Sequence, residues 1–196
     1  KTPRIIEAFQ KIKRKDFLPA DIKDLAEVNE ALPIGYGQTI SQPLVVAFMI
    51  EKLEPKAGDK ILDIGFGSGW TTALLAEIVR EKGRVVALEI VPELKEFGEK
   101  NVAKYNFVEK GQIQFILADG SKGYPNMASF DKILSSAAVQ GEVPQSWKDQ
   151  VKTGGRIVTP VGSSIWLLIK NPPTDGKITF TEIEYPGFAF VPLIKE

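Results

Sequence analysis

Apolar residues recur at two spacings along the chain, and the change between them divides it. In "TPRIIEAFQKIKRKDF", Ile5, Ile6, Phe9 and Ile12 fall three or four residues apart, which predicts an amphipathic helix. Thr2 stands where an N-cap would be, and Pro3 at the first helical position. A second helix is predicted from Pro43 through "PLVVAFMIEKL". From Lys60 onward, short apolar runs alternate with helical ones. "KILDI", "RVVALEI", "IQFIL", "DKILSSA" and "RIVTPV" read as strands, the last entered through a Gly154-Gly155 turn. "WTTALLAEIVREK", stopped by Gly83, "PELKEFGEKNVAKY" and the short "VPQSWKDQV" read as helices. "SIWLLIK" and "KITFTEIE", parted by Pro172-Pro173 and Asp175-Gly176, predict a terminal antiparallel pair.

Strand–helix alternation over residues 60–162 predicts an α/β fold with a mostly parallel, doubly wound sheet and helices on both faces. The C-terminal pair adds an antiparallel edge. We expect one domain: a helical N-terminal cap (1–59), a core (60–162) and a β-rich C-terminal part (163–196). In such sheets ligands sit outside the carboxyl ends of the strands.

Composition narrows the chemistry. Lys+Arg and Asp+Glu both number 25, so net charge is zero and no basic surface for nucleic acid is expected. Cysteine and histidine are both absent. Disulfides, thiolate nucleophiles, Ser-His-Asp hydrolysis, imidazole proton shuttles and His- or Cys-ligated metals are therefore excluded, and no metal is expected. No apolar run reaches membrane-spanning length and no signal peptide is visible, so a cytoplasmic location is expected.

"ILDIGFGSGW" carries Gly65, Gly67 and Gly69 directly after a predicted strand and before a predicted helix. A dinucleotide fingerprint needs a third glycine at residue 70 or 72, where Trp70 and Thr72 stand. The pattern is instead Asp-x-Gly-x-Gly-x-Gly, similar to motif I of Rossmann-like S-adenosylmethionine methyltransferases. Asp63 suits a ligand carrying a positive amine. Glu89, ending the next strand, suits both ribose hydroxyls, and Asp119, ending the third, suits an adenine amino group. Each acid alone would read as a solvated strand end; the three in order point to a nucleoside site.

Upstream, "LPIGYGQTISQP" (32–43) is punctuated by Pro33, Gly35 and Gly37 and reads as a loop ending at a helix N-terminus. With it, the chain resembles the protein-L-isoaspartate (D-aspartate) O-methyltransferase family. "KRKDFLP", "DIGFGSGW", "FDKILSSAA", "VPQSWKDQVKTGGRIVTPVG" and "FVPL" follow in family order. The resemblance implies a Rossmann-like S-adenosyl-L-methionine-dependent fold, and methyl transfer from that cofactor to isoaspartyl peptides and proteins. A monomer is expected. The ester formed would cyclise and reopen in part as aspartate, which makes the reaction a repair. It assigns Ser41 the active-site role and gives Gln38, Thr39 and Ile40 to the cofactor and substrate lining. Gly65, Gly67 and Ser68 fall to the glycine-motif contacts, and Glu89, Asp119 and Gly120 to ribose and adenine. The chain departs from the pattern at Asp63, Phe66 and Trp70, at Val46, and after Gly162, where no Gln-bearing loop precedes "SSIWLLIK".

The chemistry agrees with the missing histidine. A substrate carboxylate with a pKa near 4 is already ionised at neutral pH and needs no general base. Ser41 is two residues from Pro43 and is also within reach of capping that helix. Backbone N–H groups at the helix start could help hold an anion. "GFAFVPL" could line a peptide groove or form a buried final strand, the latter being the expectation. A methyltransferase with another substrate, or a cofactor-binding relative without catalysis, remains open from sequence.

Overall fold

The computed structural model describes residues 2–195. Its main sheet has seven strands: β3 (Lys60–Ile64), β4 (Arg84–Glu89), β5 (Ile113–Leu117), β6 (Phe130–Ser135), β7 (Val151–Val161), β8 (Ser164–Lys170) and β9 (Phe180–Pro186). Their spatial order is β5-β4-β3-β6-β7-β8-β9, parallel from β5 through β7 and antiparallel at β8 and β9. The expected parallel core with an antiparallel edge is thus present. The chain leaves β3 toward β4 and β5, then crosses back to β6 on the other side of β3. This reversal is the point where ligands gather in doubly wound sheets.

Period-two alternation builds two apolar layers. Ile61, Val85, Leu134 and Val158 face one layer, and Leu62, Ile64, Val86, Ile133 and Ile157 the other. The first layer is closed by three helices: α1 (Pro3–Lys11), α2 (Pro43–Leu53) and α3 (Trp70–Val79). Helix α3 packs against both α1 and β3, and nine of its residues are buried. A helix covered on every side carries apolar residues all round, as "WTTALLAEIV" does. Trp147 of α5 (Gln145–Gln150) fills the second layer and donates to the Gly120 carbonyl at 2.8 Å. Helix α4 (Pro92–Val102) links β4 and β5. Among the described residues no helix is long and apolar enough to cross a membrane.

Local readings fail in four places. Helix α1 stops at Lys11, and Thr2 caps nothing with its side chain; its hydroxyl donates to Glu51 at 2.8 Å. Helix α3 ends at Arg80 (φ 59), short of Gly83. Gly83 serves close packing instead, since a Cβ there would lie 2.4 Å from Val79. Gly154-Gly155 is not a turn before β7 but an irregularity inside it: pairing jumps from Phe130–Val151 to Lys132–Arg156. The segment 32–40 is not a loop but a hairpin of β1 (Leu32–Gly35) and β2 (Gln38–Ile40), turned by Tyr36 (φ 54) and Gly37 (φ 70). Leu32, Ile34 and Ile40 are its buried face.

Candidate active site

The hairpin lies over the glycine loop that leaves β3. Gly65, Gly67 and Gly69 all have positive φ (72, 50 and 84), a conformation that side chains with a Cβ rarely adopt. A Cβ on Gly67 would stand 3.1 Å from Ile34 Cδ1 of the hairpin, so bare backbone faces β1 there. From below, α4 presses on the loop through Gly98: a Cβ at that position would lie 2.7 Å from the Gly67 carbonyl and from Phe66. An isolated glycine inside a helical pattern was the available signal for this contact.

Between hairpin and loop is a narrow cleft, with about 690 Å³ between its walls out to the mouth and about 60 Å³ of water-accessible space. Gln38, Thr39, Ile40 and Ser41 line one side, and Gly65, Gly67, Ser68, Glu89 and Gly120 the other. Nine of the eleven candidate residues therefore meet at one place. No atom lies within 4 Å of a Cβ built on Gly35 or Gly37, so the hairpin tip faces open space.

The other two candidates lie behind the walls. Asp63 is fully buried on the α3 side of the sheet and accepts from Thr72 Oγ1 at 2.6 Å. Burial first, and then the Glu89 charge, push its carboxyl up to about 7 against the Thr72 hydrogen bond. Asp119 accepts from the Ser121 N–H at 2.9 Å and pairs with Lys122 at 3.3 Å, which closes the turn at Gly120. Burial pushes its pKa up, but the Ser121 hydrogen bonds and the Lys122 charge outweigh it and hold the carboxyl below its ordinary value. Neither side chain lines the cleft itself, whereas Ala118 and Gly120 on either side of Asp119 do.

Glu89 does face the cleft, already engaged. Its Oε2 accepts from the Gly67 N–H at 2.9 Å, and its Oε1 from Ile90 and Val91 at 2.9 and 3.1 Å. A carboxylate has about four acceptor positions, so one remains, on Oε2. That leaves acceptor capacity facing the cleft for a ribose hydroxyl. Glu89 is the one charged side chain of the cleft among the described residues. A diphosphate would meet an anion and no Lys or Arg; a cationic nucleoside fits this lining.

Ser41 does not cap α2. The N-cap is Gln42, without a side-chain cap bond, and the Leu44 N–H is taken by Asn29 Oδ1 at 3.0 Å. Val45 and Val46 donate to the Gln42 carbonyl, and Pro43 has no N–H. The helix start thus has no free donor for an anion, contrary to the sequence reading. Among the described residues nothing hydrogen-bonds the Ser41 hydroxyl, which lines the cleft. Its backbone is fixed from behind by buried Arg14, whose guanidinium donates to the carbonyls of Ala26, Val28, Glu30 and Ser41 at 3.1, 2.9, 2.7 and 3.2 Å. Arg14 also lies over the Trp70 ring at 5.6 Å, and Phe9 meets that ring edge-on at 5.5 Å. The departure at Trp70 is therefore a packing residue joining α1 to α3.

Periodicity missed other parts of the lining, among them Thr71, Ser136 and the segment Val191–Ile194. That segment is not the buried final strand expected. It crosses the carboxyl edge of the sheet, bridged to Ala138 by two backbone bonds of 2.8 Å. The tight β7–β8 turn steers it there: Gly187 and Phe188 both donate to the Ser163 carbonyl at 3.0 Å.

The whole chain, residues 1–196, matches the family model of protein-L-isoaspartate (D-aspartate) O-methyltransferase. The chain belongs to this family. A Methanopyrus kandleri protein-L-isoaspartate O-methyltransferase is 43% identical over 197 residues, covering 98% of this chain and 84% of the relative. A protein of the same name from Aeropyrum pernix is 40% identical over 196 residues, covering 98% and 73%. Among solved structures, a Plasmodium falciparum structure assigned to this methyltransferase and solved with S-adenosyl-L-homocysteine superposes with a TM-score of 0.87. It covers all of this chain and 92% of that one at 19% identity, a likeness of fold. Within the protein-L-isoaspartate O-methyltransferase family the hairpin and glycine loop of this chain thus sit on a methyltransferase fold.

Proposed function

We propose that this chain transfers a methyl group from S-adenosyl-L-methionine to the free carboxylate of isoaspartyl residues in damaged proteins, as a repair enzyme. The observation that carries this reading is an unpartnered Ser41 hydroxyl facing a glycine loop across a cleft whose one charged side chain is Glu89. Gly65, Gly67, Ser68 and Gly120 let backbone approach the nucleoside, and Glu89 takes a ribose hydroxyl at its last acceptor position. Gln38, Thr39 and Ile40 close over it. Asp63 and Asp119, at the ends of β3 and β5, serve the methionyl amine and the adenine sides of the same site. When bound, S-adenosyl-L-methionine supplies an electrophilic methyl group on a cationic sulfur.

Ser41 donates its hydroxyl to the substrate carboxylate and aims one oxygen into the cleft. Arg14 keeps the Ser41 backbone in place. The carboxylate arrives ionised, so the absence of histidine costs nothing. Apolar side chains, among them Ile34, Ile40, Ile64 and Leu94, exclude water around the reacting atoms. Zero net charge fits protein substrates better than nucleic acid. We place the enzyme as a one-domain monomer in the cytoplasm.

The test is transfer of labelled methyl to paired peptides that differ only in isoaspartate or aspartate. Strong labelling of the isoaspartyl peptide alone is expected. Equal labelling of both would overturn the specificity. Tight S-adenosyl-L-homocysteine binding with no labelling of either would make the chain a cofactor-binding relative without activity.

A further inference from the structure

Resting on the site just described, we propose that an apolar groove between α1 and α2 receives side chains flanking the isoaspartyl residue, so that damage beside large apolar residues is the preferred substrate. Ile6 and Phe9 wall the groove on one side, Leu44, Val45 and Phe48 on the other, and Phe188 closes one end. It offers about 1,070 Å³ of water-accessible space, against about 60 Å³ in the cleft. Leu44 is 66% exposed and Ile6 44%. Single exposed aliphatics mean little, but a contiguous apolar surface marks a place where something binds.

The groove is continuous with the reacting site. A small depression between them shares Gln42, Val45 and Ala189 with the groove, and Thr39, Ser41, Ser136 and Val191 with the cleft. Shared walls thus set the groove, the depression and the cleft side by side, with Ser41 lining the last two. A protein substrate with its isoaspartyl carboxylate at Ser41 must continue in both directions, and the groove accepts one of them.

The wall of the depression also offers backbone. Among the described residues, the N–H and C=O groups of Ala189 and Phe190 have no partner, while Val191 and Leu193 on one side and Gly187 and Phe188 on the other are bonded. An extended polypeptide can pair with that free stretch and turn alternate side chains into the groove. At the rim, Glu51 already accepts from the Thr2 N–H and hydroxyl, both at 2.8 Å.

The test is a set of isoaspartyl peptides carrying leucine, phenylalanine, lysine or glycine at positions two to four residues before and after the damaged site. On one flank, leucine or phenylalanine should lower KM about tenfold relative to glycine, the scale of one half-buried aliphatic side chain. Leu44→Lys and Ile6→Lys, both at exposed positions on opposite walls, should collapse that preference about equally. Methylation of all peptides with the same kcat/KM would overturn the groove while leaving methyl transfer intact. No methylation of any isoaspartyl peptide would overturn the functional reading beneath it. A dimer that Leu44→Lys dissociates, with the peptide preference unchanged, would assign the groove to a second copy and overturn the proposal.

Discussion

Asp63 gives the protein a pH dependence that can be worked out from its surroundings. The carboxyl is wholly buried, has one hydrogen bond, and has one oxygen without a partner. Its pKa rises from 3.8 unfolded to about 7 folded. At about 1.4 kcal/mol per unit, that shift corresponds to about 4 kcal/mol. Because the folded value is the higher one, the native state holds a proton that the unfolded chain has released. The Asp63 contribution to stability is therefore full below about pH 4, falls at about 1.4 kcal/mol per pH unit as the unfolded chain ionises, and levels off above about pH 7. The chain has no His and no Cys, so no other side chain has an ordinary pKa between about 5 and 8. Urea unfolding at half-unit steps from pH 5 to 8 should show a loss of about 3 kcal/mol across that window. Asp63→Asn keeps an acceptor for Thr72 but cannot titrate, so its curve should be nearly flat. The buried amide it introduces costs roughly 1–3 kcal/mol at every pH, which shifts the level and not the slope. A wild-type curve that is flat or rising over pH 5–8, or an Asp63→Asn curve with the wild-type slope, would refute the reasoning.

Two further changes probe the walls of the cleft. Gly98→Ala drives a methyl group into the Gly67 carbonyl and the Phe66 ring. Overpacking of this kind costs about 1–3 kcal/mol, and calorimetry should show S-adenosyl-L-homocysteine affinity down at least about tenfold; unchanged affinity would mean that α4 does not set the loop. Asn29→Ala removes the acceptor at the start of α2 and should cost about 1 kcal/mol of stability. Ser41→Ala should cost less than about 0.5 kcal/mol in the same denaturation assay, and the reverse ranking would return Ser41 to a capping role.

What was legible in the sequence is what short-range pattern encodes. The five parallel strands, the glycine loop and the antiparallel edge follow from period-two runs and turn residues that act on their own neighbours. The misreadings share a cause: tertiary contacts overrode local signals. Gly83 and Gly155 resemble turn makers, yet each is small because Val79 or Val151 presses on it. Asp63 and Asp119 stand at strand ends in the expected order, and their hydrogen bonds to Thr72 and Ser121 are contacts that order along the chain does not encode. Order along the chain fixes which strand end a residue occupies, not which way its side chain turns. The segment Val191–Ile194 carries no periodicity because its position rests on bridges to Ala138, more than fifty residues away. Arg14 was visible only as part of a family-like motif. Its work, fixing four carbonyls that include Ser41, depends on segments brought together by folding.

In the proposed reaction the Ser41 hydroxyl serves an already charged carboxylate. Ser41→Ala, compared with wild type on one isoaspartyl peptide, tests it most directly when kcat and S-adenosyl-L-homocysteine affinity are read on the same preparation. Ser41→Ala should lose about a hundredfold in kcat, the scale of removing one positioned donor, with cofactor affinity within about twofold. Turnover equal to wild type would contradict it.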